Sequence, residues 1–109
     1  MLTLRLYMLQ RLSALVMVPL VIGHIAVMIY AVQGGLTAEE ILARTKGSLA
    51  WAAFYGCFVL AAALHASIGL RTVVAETFGW TSKGLDIFSL AVGLFLSVLG
   101  LTAVTAVTL

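Results

Sequence analysis

Three long apolar stretches, separated by short polar segments, dominate the chain. Residues 12–33 contain no charged side chain, and at about 1.5 Å per residue this stretch can cross a hydrocarbon core of about 30 Å. Two further spans are predicted at about residues 48–76 and 85–107. The pattern predicts an all-α membrane protein with three transmembrane helices, forming one transmembrane domain over residues 1–109.

The polar segments carry signals for the ends of helices. Gly34 and Gly35 are expected to end the first span. Thr37 followed by Glu40 is typical of a capping box and predicts a short interfacial helix that runs to about Lys46. Residues 1–10 are expected to form a short amphipathic lead-in to the first span.

Small residues recur along the third apolar stretch. Gly93, Ser97 and Gly100 occur at helical spacing, so they share one face of the predicted helix. Small residues on a membrane helix allow another helix to approach closely. This face is predicted to pack against a neighbouring span.

Composition agrees with a membrane protein. The chain is 63% hydrophobic and only 9% charged over 109 residues, which is too apolar for a soluble domain of this size. Its single cysteine, Cys57, excludes an intrachain disulfide and a CxxC metal site. The net charge of +2 is small and lies at the ends of the spans, so lipid is expected as a partner and nucleic acid is not.

The distribution of basic residues predicts an orientation. One side of the membrane would carry four basic residues and the other side two; they are Arg5, Arg11, Arg71 and Lys83 against Arg44 and Lys46. The N-terminus is therefore expected in the cytoplasm. Because no Arg/Ser-rich transit segment precedes the first span, we expect a bacterial or archaeal cytoplasmic membrane.

The second span contains the main chemical signal. His65 and Gly69 lie one turn apart on one helix face, and the small side chains of Ala61 and Ala62 continue that face. A flat ligand such as haem needs this clearance to reach an imidazole nitrogen. Arg71 would lie where the helix meets water, able to pair with an anionic group such as a propionate. The alternative is a neutral imidazole hydrogen-bonded to a neighbouring helix.

A second histidine, His24, lies in the first span at a different depth. His65 is about 9 Å along the helix from the boundary marked by Arg71, and His24 is about 20 Å from the boundary marked by Arg11. The depths differ by roughly 11 Å, so one haem between the two is not expected. They could serve two haems, each completed by another subunit. The alternative for His24 is helix packing.

Polar side chains cluster at the start of the first span: Tyr7, Gln10, Arg11 and Ser13. Hydrogen-bond donors at the water-facing end of a span are what a quinone head group needs. Ordinary anchoring at the membrane interface is the alternative. A transporter is disfavoured, because coupling would normally require a carboxylate in the middle of a span and none occurs there.

The pattern His65-x-x-x-Gly69-x-Arg71, followed by Glu76, resembles the cytochrome b membrane-anchor subunits of succinate dehydrogenase and fumarate reductase (respiratory complex II). Arg11-Leu12-Ser13 looks like the Arg-x-Ser start of that family. The resemblance covers nearly the whole chain. The sequence departs from the usual pattern in carrying Gln10 and Thr72 where many members have histidine, and Glu76 where aspartate is common.

The resemblance implies roles for these residues. His65 would be an axial ligand of haem b, and Arg71 would contact a propionate. Arg11 and Ser13 would lie near a ubiquinone or menaquinone site, at the boundary with an iron–sulfur subunit. Members with two haems carry a further histidine in the first span, and the run from Ser13 to His24 is similar to that arrangement.

The implied activity is that of a non-flavin subunit of succinate:quinone oxidoreductase. It would dock a flavoprotein subunit and an iron–sulfur subunit and would need a second membrane-anchor subunit to complete the coordination of one or two haems b. No dicarboxylate active site is expected in this chain. A haem-free structural anchor is the alternative, and succinate oxidation or fumarate reduction both stay open.

Overall fold

The computed structural model describes residues 2–109, with side chains from residue 4 onward. It is entirely helical over this part of the chain, with helices α1 (Leu2–Gly34), α2 (Ala38–Thr45), α3 (Leu49–Phe78) and α4 (Lys83–Thr108). Helices α1, α3 and α4 are long and apolar enough to cross a membrane. The predicted fold class, three long apolar helices with a short one between the first and second, is confirmed.

Helix α1 includes the lead-in before the first span. Residues 2–10 continue into that span as one helix of 33 residues. No glycine or proline interrupts the chain before Pro19. The helix also continues through Pro19, as membrane helices can when neighbouring groups satisfy the freed carbonyl.

Helix α2 has the predicted capping box. The backbone N–H of Glu40 donates to Thr37 Oγ1 at 3.2 Å, and Thr37 N–H donates to Glu40 Oε2 at 3.1 Å. The helix ends at Thr45, one residue before the predicted end. Thr45 Oγ1 then donates to the carbonyl of Val107 at 2.7 Å. This bond ties α2 to the last turn of α4, whose carbonyls have no partner within the helix.

Helix α3 is the central element and packs on α1 and on α4. Both neighbours run antiparallel to it. Gly93 of α4 lies against Ser67, and Gly100 lies against Val59. The predicted packing role of small residues in α4 is confirmed at these two glycines. The molecule is 48 Å long, which matches a bilayer with its head-group regions.

Most large apolar side chains lie on the outside of this three-helix layer. Leu15 is 73% exposed and Phe95 is 63% exposed, whereas Leu85 and Thr108 are the largest fully buried side chains. In water such a surface would be strongly unfavourable. The outer faces of the helices are therefore suited to lipid or to apolar faces of other membrane helices.

Candidate functional site

Helices α1 and α3 approach each other closely at the end of the bundle that carries the N-terminus. A Cβ atom added at Gly69 would lie 3.2 Å from Gln10 Nε2, the end of a flexible side chain. Gly69 thus lies against the Gln10 side chain. One turn away, Ser13 of α1 meets His65 of α3.

The imidazole of His65 is held by a short chain of hydrogen bonds. Ser13 Oγ lies 3.1 Å from His65 Nδ1 and 2.8 Å from the carbonyl oxygen of Gln10. A hydroxyl has one proton. If Ser13 donates that proton to the carbonyl of Gln10, its oxygen accepts the Nδ1–H of His65. The remaining ring nitrogen, Nε2, then carries a lone pair, which is the form in which histidine binds a metal.

His65 lines two neighbouring cavities. The larger has a volume of about 600 Å³ and the smaller about 340 Å³. The smaller cavity is bordered mainly by apolar side chains of α1, including Met17 and Val21. Since Nδ1 is engaged by Ser13, Nε2 is the nitrogen left for a ligand that enters these spaces.

The larger cavity also contains the polar cluster predicted at the start of the first span. Arg11 Nη1 donates to the hydroxyl of Tyr7 at 3.0 Å, and its guanidinium carbon lies 5.6 Å from the Tyr7 ring centroid. Both residues line the cavity with Gln10 and His65. Gln10 Oε1 is buried and has no hydrogen-bond partner. The cavity therefore combines a cation, a phenol and an amide beside the histidine.

Arg71 has a partner that the sequence analysis did not identify. Its Nε and Nη2 lie 2.8 Å and 2.7 Å from the same oxygen, Oδ1 of Asp86. Arg71 and Asp86 line a separate crevice, and Arg71 is not among the residues bordering either cavity beside His65. The signal was present, because Asp86 lies in the first turn of α4, at the same end of the bundle as Arg71. The contact of Arg71 with a propionate stays a prediction.

His24 lies in a different environment from His65. It borders an apolar cavity of about 450 Å³ that also contains Tyr55 and Phe58. The imidazole packs edge-on against Phe58, with ring centroids 5.0 Å apart. Its Nδ1 is buried without a hydrogen-bond partner. The two histidines thus face different cavities, and only His65 has a partner that orients its ring.

No group of three or more His, Cys, Asp or Glu side chains comes together to hold a metal ion within residues 2–109. His65 alone offers one nitrogen ligand. A haem would need few protein ligands, because its macrocycle supplies four nitrogens of its own. The single nitrogen that His65 offers therefore fits such a group.

These features define an all-helical chain suited to multiple membrane crossings, with an oriented histidine and a polar cluster at one end. The family described as succinate dehydrogenase/fumarate reductase transmembrane subunit matches residues 1–107, and the chain belongs to this family. No curated protein and no solved structure matches the chain. The resemblance found in the sequence is confirmed, and the chain is a membrane subunit of a multi-subunit complex.

Proposed function

We propose that this chain is the membrane-anchor subunit of a succinate:quinone oxidoreductase that holds haem b through His65 and forms part of a quinone site. The observation that carries the proposal is the contact between Ser13 Oγ and His65 Nδ1 at 3.1 Å. Metal-bound histidines almost always use their other ring nitrogen in such a contact, because it sets the tautomer and the ring orientation.

In this proposal His65 would hold the haem through Nε2, and Ser13 would keep the ring oriented through Nδ1. Haem b supplies one-electron storage and transfer when it is bound. Any second protein ligand would come from outside this chain, because His24 borders a separate cavity.

The quinone head group would bind at the end of the larger cavity lined by Tyr7, Gln10 and Arg11, and the haem would occupy the smaller cavity beside His65. Reduction of a quinone adds two electrons and two protons, and negative charge develops on its oxygens before protonation. The guanidinium of Arg11 can donate to such an oxygen and stabilise that charge. Gln10 also borders this cavity, and a side-chain amide can donate to or accept from the head group in either of its redox forms.

The partners follow from the same arrangement. The end of the bundle with Arg5 and Arg11 would face an iron–sulfur subunit, which delivers electrons from a flavoprotein subunit where dicarboxylate chemistry takes place. A second membrane subunit would cover the cavities beside His65, and lipid would cover the rest. This end would lie at the cytoplasmic face of a bacterial or archaeal membrane, as the balance of basic residues favours.

A second haem at His24 is favoured by one observation, the apolar cavity of about 450 Å³ that its imidazole borders. Unlike His65, His24 has no partner for its buried Nδ1 within residues 2–109, and such an unpaired buried atom is costly. The different cavities of His24 and His65 agree with two haems at different depths. If His24 instead serves helix packing, a partner subunit supplies the missing hydrogen bond.

The experiment is a haem count on the complex purified in detergent, by pyridine haemochrome assay and reduced-minus-oxidised spectrum. We expect His65→Ala to lose one haem per complex and His24→Ala to lose the other. A complex that keeps its full haem content without His65 would contradict the proposal. If only His65→Ala loses haem, His24 serves helix packing and is not a haem ligand. If the wild-type complex contains no haem, the chain is a haem-free structural anchor.

A further inference from the structure

A crevice of about 240 Å³ lies between α1, α3 and α4, apart from the cavities beside His65. It is bordered mostly by apolar side chains such as Leu6, Leu64 and Leu90. Two charged residues line it, Arg71 and Asp86. The function proposed above uses neither the crevice nor Asp86, so the reason for this ion pair is open.

Arg71 is paired with Asp86. Two of its N–H groups point at one carboxylate oxygen, at 2.8 Å and 2.7 Å, and the side chains are 20% and 37% exposed. Arg71 also borders a further cavity of about 450 Å³, together with Tyr7 and Gln10. Asp86 occupies the first turn of α4, where the helix dipole also favours a negative charge. Among apolar side chains such a charge-assisted pair is held more firmly than on an open surface.

The pair lies close enough to His65 to affect an electron there. Arg71 follows His65 by six residues, or about 9 Å along the axis of α3. In a medium of low dielectric constant a unit charge at this range interacts appreciably with a redox centre. A cation favours the reduced form, because reduction adds negative charge. Asp86 cancels most of that effect by neutralising the cation.

We propose that Asp86 is a positioning residue that holds and neutralises Arg71, and thereby keeps the reduction potential of the haem at His65 lower than Arg71 alone would set it. This inference rests on the proposed function, since it requires a haem at His65. It assigns the arginine of the His-x-x-x-Gly-x-Arg pattern to an electrostatic pair within the chain instead of a direct haem contact.

The test is a redox titration of haem b in the purified complex, followed by absorbance. We expect Asp86→Asn to raise the midpoint potential, because Arg71 is left uncompensated. Arg71→Gln should lower it, because Asp86 is then the uncompensated charge. The double variant should return close to the wild-type value. Glu76→Gln is the matched control, because Glu76 is an exposed carboxylate at the same end of α3 and should leave the potential unchanged.

Opposite shifts that cancel cannot come from loosened helix packing alone, which would move both single variants in the same direction. Shifts of the same sign, or an unchanged potential in Asp86→Asn, would overturn the inference. Asp86→Glu keeps the negative charge and should keep the wild-type potential. If the Asp86→Asn complex fails to assemble, Asp86→Ser is used in its place, because it also removes the charge and has a smaller side chain.

Haem content is measured on the same samples, because it tests the proposed function separately from the role of Asp86. Wild-type complex without haem would contradict the proposed function itself. A normal haem content with unmoved potentials would contradict only the role of Asp86. Loss of haem in Arg71→Gln, with Asp86→Asn unaffected, would show a direct contact between Arg71 and the haem and would also overturn the inference.

Discussion

Ser13 Oγ lies 3.1 Å from Nδ1 of His65, although the two residues are 52 positions apart in the chain. The contact joins α1 to α3 one turn from Gly69, which lies against the Gln10 side chain. Because Ser13 also bonds the carbonyl of Gln10, the ring is fixed to the backbone of α1. The position of α1 therefore decides which nitrogen of His65 is available.

Replacement of Ser13 by alanine should weaken haem binding. His65 would lose the partner that orients its ring, and loss of such a partner typically costs about 10–100-fold in metal affinity. The measurement is the haem content of the purified complex after dialysis against a haem scavenger such as apomyoglobin. Ser97→Ala is the control, because that hydroxyl bonds only a carbonyl of its own helix. Equal haem retention in both variants would show that Ser13 does not support the ligand.

Replacement of Arg11 by glutamine should impair quinone reduction specifically. A hydrogen bond to a charged group contributes about 1.5–3 kcal/mol, so kcat/KM for quinone should fall by about 10–100-fold. Electron transfer from succinate to a soluble artificial acceptor that takes electrons before the quinone should stay normal. Arg5→Gln is the matched control, because Arg5 is an exposed cation on the same helix. A parallel loss in both assays would indicate failed assembly instead.

Tyr7 allows a finer test of the same cavity. Its hydroxyl accepts a hydrogen bond from Arg11, so Tyr7→Phe should leave the guanidinium in place but less well oriented. We expect a smaller loss of kcat/KM for quinone than in Arg11→Gln. Steady-state kinetics with a short-chain quinone measure both variants, and a larger loss for Tyr7→Phe would reverse the proposed order of importance.

Gly100→Ala should destabilise the contact between α3 and α4. The added Cβ would overlap the side chain of Val59, and overpacking of this kind typically costs about 1–3 kcal/mol. Val59→Ala should restore part of the lost stability in the double variant, because it removes the overlapping methyl groups. Thermal unfolding of the detergent-solubilised protein measures the effect. A Gly100→Ala protein as stable as wild type would show that the helices adjust without cost.

The capping box of α2 should weaken in acid. Hydrogen bonds from the backbone and the side chain of Thr37 lower the pKa of Glu40 below its ordinary value of 4.5. Because the folded-state pKa is lowered, this stabilisation is present at neutral pH and is lost as the pH falls through the lowered pKa. A carbon NMR titration of the Glu40 carboxyl should show a midpoint below 4.5 that rises in Thr37→Ala. A midpoint at 4.5 in both proteins would exclude the effect.

Features that depend on residues close together in the sequence could be predicted from it. Hydropathy and length indicated three spans, and Thr37 with Glu40 indicated the start of α2. The continuity of the lead-in with the first span was not predicted, since hydropathy marks the apolar stretch from residue 12 and not the first residue of the helix, which is Leu2. Candidate site residues were also found from residue type and spacing, because polar groups are rare within membrane spans.

Contacts between helices required the tertiary structure. The sequence by itself determined the membrane-spanning class, the number of long helices and the residues able to carry chemistry, because these follow from hydropathy and local spacing. Only the tertiary structure decided that Ser13 meets His65, that Arg71 pairs with Asp86 and that Nδ1 of His24 has no partner within the chain. The physical reason is that each contact depends on how the packed helices are rotated and shifted against each other. That arrangement is set by many side chains together, and the hydrogen-bonded residues are 15 to 52 positions apart in the chain.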